Sequence, residues 1–537
     1  MKKQFLIKIF LICIFLFSIQ IANAQNLQFQ GNIINDTTWA ADTLEITGDV
    51  IIDSNVTLIV MPGTFVHILG YYSIWSYGAI RAIGTETDTI VFTHLDTIMH
   101  NDTSTIEGGW HGIRLLPRLS GDTTIFKYCK IANGKAVVPG SSIHSHDKPD
   151  NMGGNLYAVD FGNMIIENSY IVNGRVRTRG GGIYMKGGNF VQIDYCHFKY
   201  NHTYYDFGGG AYILEVDTLY VRNSLFNYNT AFHLVQGWAG GEGGGIAISH
   251  PLSYTSYALI KNNRFFNNKT IGGVLYDAYY NADIIGNVIC NNYGMALWNA
   301  HYFNYPVYTN NIIVNNVRVA YSGVSIKSPN AILINNIIWR NLAYPHYPTD
   351  QILYDGTTSP EVKYCNVMYG YEGEGNINAE PLFVNPTPDI GPDYDALNAD
   401  WSLLDNSPCI NTGTPDTTGL NLPEFDIIDN PRIYGNRIDM GAYENQYVWV
   451  KINDSPVFNK SVKVYPNPGK ENLFVELQPG MEGAWLDLVD GTGKCLIHSQ
   501  ITTIPVMFSP IGLKTGIYYY RIYNHEQIFK KGKWVKM

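Results

Sequence analysis

Charge is scarce in this chain: of 537 residues only 15% are Asp, Glu, Lys or Arg, and the formal net charge is −10. An acidic balance without a basic stripe excludes nucleic acid as the natural partner, since phosphate binding needs a cationic footprint. Helical periodicity is missing throughout. Beyond residue 24 no apolar run reaches the ~20 residues a bilayer span requires. Also lacking are H-E-x-x-H, a nucleophile elbow and the Cys–His spacing of a zinc site. No carboxylates recur in one register, as a calcium-dependent lyase of stacked coils would need. What is abundant is Gly (52) and Tyr (39), the composition of a β protein with many tight turns and aromatic surfaces.

The N-terminus reads as a secretory signal peptide. Lys2 and Lys3 precede an apolar stretch at 5–21, and Ala22-Asn23-Ala24 forms an A-x-A cleavage site that leaves Gln25 as the first mature residue. Of seven cysteines, Cys13 departs with this segment, and six remain in a compartment that oxidises thiols.

The middle of the chain is a repeat. YCKIANG, NSYIVNG, YCHFKYN, NSLFNYN, NNRFFNN, GNVICNN, NNIIVNN, NNIIWRN and YCNVMYG align on Cys129, Ser169, Cys196, Ser224, Asn263, Asn287, Asn311, Asn336 and Cys365. The closest spacing is 24 residues, from Asn263 to Asn287. That is too short for a four-stranded propeller blade and fits one circuit of a three-strand coil. The aligned position holds only Asn, Ser or Cys, small groups that point into a turn, so Asn263, Asn287, Asn311 and Asn336 form a structural ladder bonding from coil to coil. Two residues on, Ile131, Ile171, Phe198, Phe226, Phe265, Ile289, Ile313, Ile338 and Val367 form an inward apolar column. Five residues on, Gly134, Gly174, Asn201, Asn229, Asn268, Asn292, Asn316, Asn341 and Gly370 predict a second turn with a left-handed backbone. Glycine-led segments at 180–185, 208–213, 243–248, 271–276, 294–298 and 322–326 predict another strand family with alternate residues inward. An ordinary β-sandwich would not produce three columns in one register. Cys129 and Cys196 share a column with Ser169 between them, ~9–10 Å apart and beyond disulfide reach, so they and Cys365 read as buried free thiols.

These repeats resemble the right-handed parallel β-helix superfamily that includes pectate lyases and many bacterial surface proteins, and the Asn column resembles its asparagine ladder. VTLIVMPGTFVHI (56–68), GAIRAIGTETDTIVFTH (78–94) and GWHGIRL (109–115) resemble its opening coils. The stretch 403–444, LLDNSPCINTG then DIIDNPRIYGNRIDMGAYE, resembles the closing module called choice-of-anchor Q; the resemblance implies a structural clamp by Asp429, Arg432, Asp439 and Glu444. The ending is distinct: VKVYPNPGKENLFVELQ, GTGK (491–494), GLKTGIYYYRI (512–522) and KKGKWVKM (530–537) occur in order. Their Val/Leu/Tyr alternation between Pro-Asn-Pro and Gly turns reads as a small antiparallel sandwich. It resembles the C-terminal sorting domain of the type IX secretion system of Bacteroidetes, which implies that machinery as a partner and a place at the cell surface or beyond. Asp-Thr pairs at Thr37, Thr43, Thr89, Thr97, Thr123, Thr218 and Thr417 resemble the acceptor pattern for O-glycosylation in that phylum, and equally suit turns.

The organisation expected is therefore all-β. A signal peptide (1–24) precedes a cap and first coils (25–115), the parallel β-helix repeats (116–370) and closing coils with a cap (371–445). A linker (446–460) leads to an immunoglobulin-like sorting sandwich (461–537). The best surface for function follows the second turn. Arg175, Arg177 and Arg179 alternate on one strand face, beside His202, Tyr204 and Asp206 of the next coil and Trp238 and Glu242 of the one after. Guanidinium groups beside rings suit a polysaccharide, gripping carboxylate or sulfate while sugars stack; a solvated face with packed aromatics fits the same residues. His144, His146 and Asp147 sit in a polar loop and are assigned no metal. The function expected is that of a monomeric exported protein that binds polysaccharide without cleaving it and needs no cofactor. The alternative is a polysaccharide lyase or glycoside hydrolase, with calcium if a lyase.

Overall fold

A computed structural model describes residues 26–117, 122–139, 149–235, 238–251, 255–319, 321–343, 350–354, 356, 359–446, 462–477, 483–491, 493–502, 505–509, 512–524 and 528–537. The expected signal peptide with its cleavage site at Ala24 and Gln25, and the loop bearing His144, His146 and Asp147, lie outside them. Among the described residues the only helix is one 3-10 turn at Pro149–Asn151, and no helix is long and apolar enough to cross a membrane.

Thirty-nine strands join in one parallel array that winds as a right-handed β-helix, and three long sheets form its walls. The first runs from Thr37–Trp39 through Thr57–Val60 and Ala79–Ile83 to Glu361–Lys363. The second starts at Asn26–Ile33, passes through Cys129–Ala132 and ends at Asn366–Val367. The third runs from Ser73–Ser76 through Ile183–Asp194 to Ile352–Tyr354. The predicted inward column is buried along its whole length, and three of its rings stack: Phe198 on Phe226 at 4.5 Å, Phe226 on Phe265 at 4.9 Å. In the third sheet the expected alternation fails at Ile183, Tyr184 and Met185, which are all buried. Here Tyr157, Tyr184 and Tyr212 form their own cluster with Met152 outside the coil, so both faces lose contact with water.

Two amide ladders run along the second sheet, one at each edge. In the first, each backbone N–H donates to the next coil: Cys129 to Ser169 Oγ (3.0 Å), Asn263 to Asn287 Oδ1 (2.9 Å) and Asn287 to Asn311 Oδ1 (2.9 Å). Sulfur serves as a rung where Asn336 N donates to Cys365 Sγ (3.3 Å), and Asn376 closes the column by accepting from Cys365 N (2.9 Å). All six described cysteines are free thiols; Cys129, Cys196, Cys290, Cys365 and Cys409 are buried.

The second column corrects the expectation. Asn201, Asn229, Asn268, Asn292, Asn316 and Asn341 are buried rungs rather than left-handed residues, and Gln351 caps them by accepting from Asn341 N (3.0 Å). The left-handed backbone falls one residue earlier, at Asn133, Asn173, Tyr200, Tyr228, Asn267, Asn291, Asn315 and Arg340, with φ between 52° and 62°. Gly134 and Gly174 are needed for another reason. A Cβ there would lie 2.0 Å from the Gly154 carbonyl oxygen and 2.1 Å from that of Gly181. The same offset precedes the first ladder, where Tyr128, Tyr195 and Tyr364 take left-handed backbone with φ of 49–51°.

Residues 371–445, expected as closing coils and cap, pair with the last coil only briefly, at the Asn366–Ile377 bridge, and then fold back along the flank of the second sheet. The reason lies in the strands they cover. Val288–Cys290, Ile312–Val314 and Ile337–Trp339 are buried on both faces, and their outer side chains pack with Trp401, Met440, Ala442 and Tyr443. Left-handed asparagines tie the layer down. Asn267 Nδ2 donates to the carbonyls of Pro392 and Tyr394, Asn291 Nδ2 to those of Asp389 and Gly391, and Asn310 Nδ2 to those of Asp439 and Gly441. Inside this layer Arg432 donates to Glu444 (3.0 Å), Asp439 N donates to the same carboxylate (3.0 Å), and Glu444 N donates to Asp426 (2.8 Å). Asp426 is thus the third carboxylate of the clamp; Asp429, given that role by resemblance, is exposed. Burial raises the pKa of both Asp439 and Glu444; the Asp439 charge raises Glu444 further, and the Asp426 charge raises Asp439.

The C-terminal strands are antiparallel. A three-stranded sheet (Lys463–Tyr465, Leu473–Glu476, Val506–Phe508) accompanies a four-stranded one (Trp485–Val489, Cys495–Gln500, Gly516–Tyr523, Ile528–Lys536), with Leu473, Leu486, Ile522 and Trp534 in their shared core.

Candidate functional site

Arg175, Arg177 and Arg179 alternate with buried Val176 and Thr178, which brings the three guanidinium groups to one half-buried face. Two of them are engaged within the protein. Arg175 donates from Nε to Asn101 Oδ1 (2.8 Å) and from Nη1 to the Tyr200 carbonyl, and its pKa is lowered by burial. Arg179 donates from Nε to Asp206 at 2.7 Å and lies over the Tyr212 ring. Arg177 lies over the Tyr205 ring at 5.6 Å, its Nε buried without a partner. Tyr204 donates its hydroxyl to Asn101 O (2.6 Å) and packs on His202, whose ring centroid is 4.1 Å away. Burial, with Arg175 and Lys269 nearby, lowers His202 to about 3, so its imidazole is neutral. Trp238 belongs to the strand Trp238–Gly240, paired with His233–Val235, and its side chain lies outside the described residues.

Glu242 follows that hairpin. Its carboxylate accepts from Gly273 N at 3.1 Å and rests on Gly272, where a Cβ would fall 1.3 Å from Oε2. Burial, with a contribution from the Asp206 charge, raises Glu242 to about 8 despite Arg318. Among the described residues no group of three or more His, Cys, Asp or Glu is placed to hold a metal ion.

A second surface emerges around the turn from the arginine face. In the coils from Cys129 to Tyr200 the outer face of the second sheet is not covered by the folded-back layer, whose cover begins at Leu225 and Tyr228 of the next coil. In register across it stand Lys130, Tyr170 and His197 in one column, and Ala132, Val172 and Lys199 in another. Tyr170 is 49% exposed, Tyr200 46% and Tyr195 58%. Tyr200 stacks on Tyr228 at 5.2 Å, and the Lys199 ammonium sits 4.7 Å from the Tyr200 ring centre. The left-handed backbone at Tyr195 and Tyr200 aims these rings outward, because the rung residue that follows takes the inward direction. Sequence reasoning aligned these columns but did not read their outward members. The signal was there in the change from Lys130, Tyr170, His197 and Lys199 to Val288, Ile312, Val314 and Ile337.

Comparison with known families agrees with the two architectures. Residues 126–317 match the right handed beta helix region family. Residues 463–536 match the secretion system C-terminal sorting domain. The chain is an exported β-helix protein. Its sorting domain directs it through the type IX machinery, across the outer membrane, to the cell surface or the extracellular space. Neither match reaches 403–444, the stretch that resembles choice-of-anchor Q. No curated protein matches the chain.

Proposed function

We propose that this exported β-helix binds polysaccharide on the uncovered flank of its second sheet. The observation that carries the reading is the group of exposed tyrosines, Tyr170 on one coil with Tyr195 and Tyr200 at the two edges of the next, on a face whose coils repeat every ~4.8 Å. Rings offered at fixed spacing stack on sugars with little loss of side-chain freedom. Around the turn, Arg177 over Tyr205, with Tyr204, extends the surface; Arg175, Arg179 and Asp206 hold its shape. The test is retention of the mature protein on immobilised polysaccharides, compared with a Tyr170→Ala/Tyr200→Asn variant. Retention should fall in the variant; equal retention of both proteins on every polymer sinks the reading.

One observation favours a hydrolytic alternative. Asp206 is bonded to Arg179, and Glu242 on the next coil, raised to about 8 chiefly by burial, keeps its proton near neutrality. A carboxyl kept protonated by burial, with a second carboxyl on the neighbouring coil, suits a general acid and its partner. New reducing ends released by the parent protein and not by Glu242→Gln would favour it.

A further inference from the structure

Lys130 and Lys199 are the two ammonium groups on the flank without a carboxylate within ion-pair distance among the described residues. Their cationic neighbours are matched: Lys127 pairs with Glu167 (3.1 Å) and Arg222 with Asp194 (2.7 Å). Lys130 is exposed, and Lys199 is held between the Tyr200 and Tyr228 rings, 4.7 and 5.9 Å from their centres. The strand register fixes their relation. Lys130 pairs with Tyr170, Tyr170 with His197, and Val172 with Lys199. The two charges are therefore two coils and two residues apart, ~12 Å on the diagonal from ordinary strand dimensions, with the Tyr170 ring between them.

Beyond Lys199 the sign reverses. The Tyr228 hydroxyl is hydrogen-bonded to Asp395 of the folded-back layer, and Asp393 next to it is exposed. On the opposite edge the Asp194 and Asp429 carboxylates lie close enough to Tyr195 to raise its pKa, behind burial as the larger cause. Exposed Asp393, Asp395 and Asp429 thus border the surface where the covered coils begin.

Resting on the polysaccharide reading above, we infer that the flank takes a short stretch of polyanionic polysaccharide, bearing carboxylate or sulfate groups. It spans the three coils of Lys130, Tyr170 and Lys199 and is turned back by Asp393 and Asp395. Unmatched cations on a chain of net charge −10 set the sign of the ligand, and the acidic border sets its length. Neutral polymers meet the rings alone.

Affinity electrophoresis of the mature protein in low salt tests this, with polygalacturonate as the carboxylate probe, dextran sulfate as the sulfate probe and neutral dextran as the control. Lys130→Gln/Lys199→Gln should weaken retardation by the anionic probes about tenfold, near 1.4 kcal/mol, and flatten its salt dependence. Retardation by neutral dextran should not move. Lys130→Glu/Lys199→Glu should abolish anionic binding. Affinity for oligogalacturonates should stop rising once a fragment spans three coils. All variants sit on the surface, and unchanged thermal melting confirms the fold. Undiminished anionic binding in the glutamine variant, or no response of the parent to either polyanion, overturns the inference. The tyrosine variant keeps the two failures apart. If it loses neutral polymer while the lysine variants behave as parent, polysaccharide binding stands and the polyanion assignment falls. If it binds every polymer as parent does, the broader reading falls too.

Discussion

The second sheet is one structure with two kinds of outer surface. From Cys129 to Tyr200 its outward positions include Lys130, Tyr170, His197 and Lys199, at least partly open to water; from Leu225 to Trp339 most are apolar, among them Phe266, Val288, Cys290, Ile312, Val314, Ile337 and Trp339, beneath residues 371–446. The inner column and both ladders continue through the boundary unchanged. Coil formation therefore depends on what points inward and into the turns, and the outside is free to specialise. Even the left-handed corners follow this division. In the covered coils most are Asn, and the amides of Asn267, Asn291 and Asn310 bond to carbonyls of the layer; in the open coils several are Tyr, with Tyr195 and Tyr200 exposed.

The strongest way to break the contrast is to remove the clamp. Arg432→Met strands buried carboxylates and should cost about 3–5 kcal/mol, localised to the layer. Cys290 and Cys409 lie at that interface, so alkylation should reach them in the variant while Cys129 and Cys196 stay protected. Next in size is a rung. Asn292 accepts from Asn268 N (2.7 Å) and donates to Asn316 Oδ1 (2.8 Å) and Phe265 O (2.9 Å). Asn292→Ala should cost about 3 kcal/mol in denaturant unfolding, against about 1 kcal/mol for Ser169→Ala in the open coils.

A smaller effect separates the halves by pH. Glu444 and Asp439 have folded pKa values above their ordinary ones, so the folded layer binds more protons than the unfolded chain above the ordinary carboxylate range. Its stability is fullest at or below that range and declines as pH rises through the raised values. Amide exchange in Ile312–Val314 and Ile337–Trp339 should accelerate with pH beyond its intrinsic dependence, and exchange in Tyr170–Val172 should not. The smallest effect is a gain. Tyr195→Asn relieves a left-handed tyrosine and should stabilise the open coils by about 0.5–1 kcal/mol in the same unfolding assay.

The coils were legible in the sequence because rung and inward positions admit few residue types, and nine aligned segments repeat them at spacings of 24 residues or more. The second column was misread by one residue because a buried rung and a left-handed corner both favour asparagine; composition alone cannot separate them. The engagement of Arg175 was not legible either. Its partner Asn101 is 74 residues away, on a loop that has no repeat to align. The folding back of 371–446 left a trace in the outward residues, but reading it requires asking of each strand which side has no water.

The asparagine corners also make the covering layer a gauge. Asn267, Asn291 and Asn315 belong to three successive coils, and they meet Tyr394, Gly391 and Thr387 in descending order. A coil duplicated within this stretch would push one corner past its mark and leave its amide facing apolar side chains. A coil duplicated between Cys129 and Tyr200 meets no such scale, since each rung matches any other. Lineages of this protein should therefore vary in length on the open side alone, and with each added coil the exposed tyrosine face would lengthen by one step.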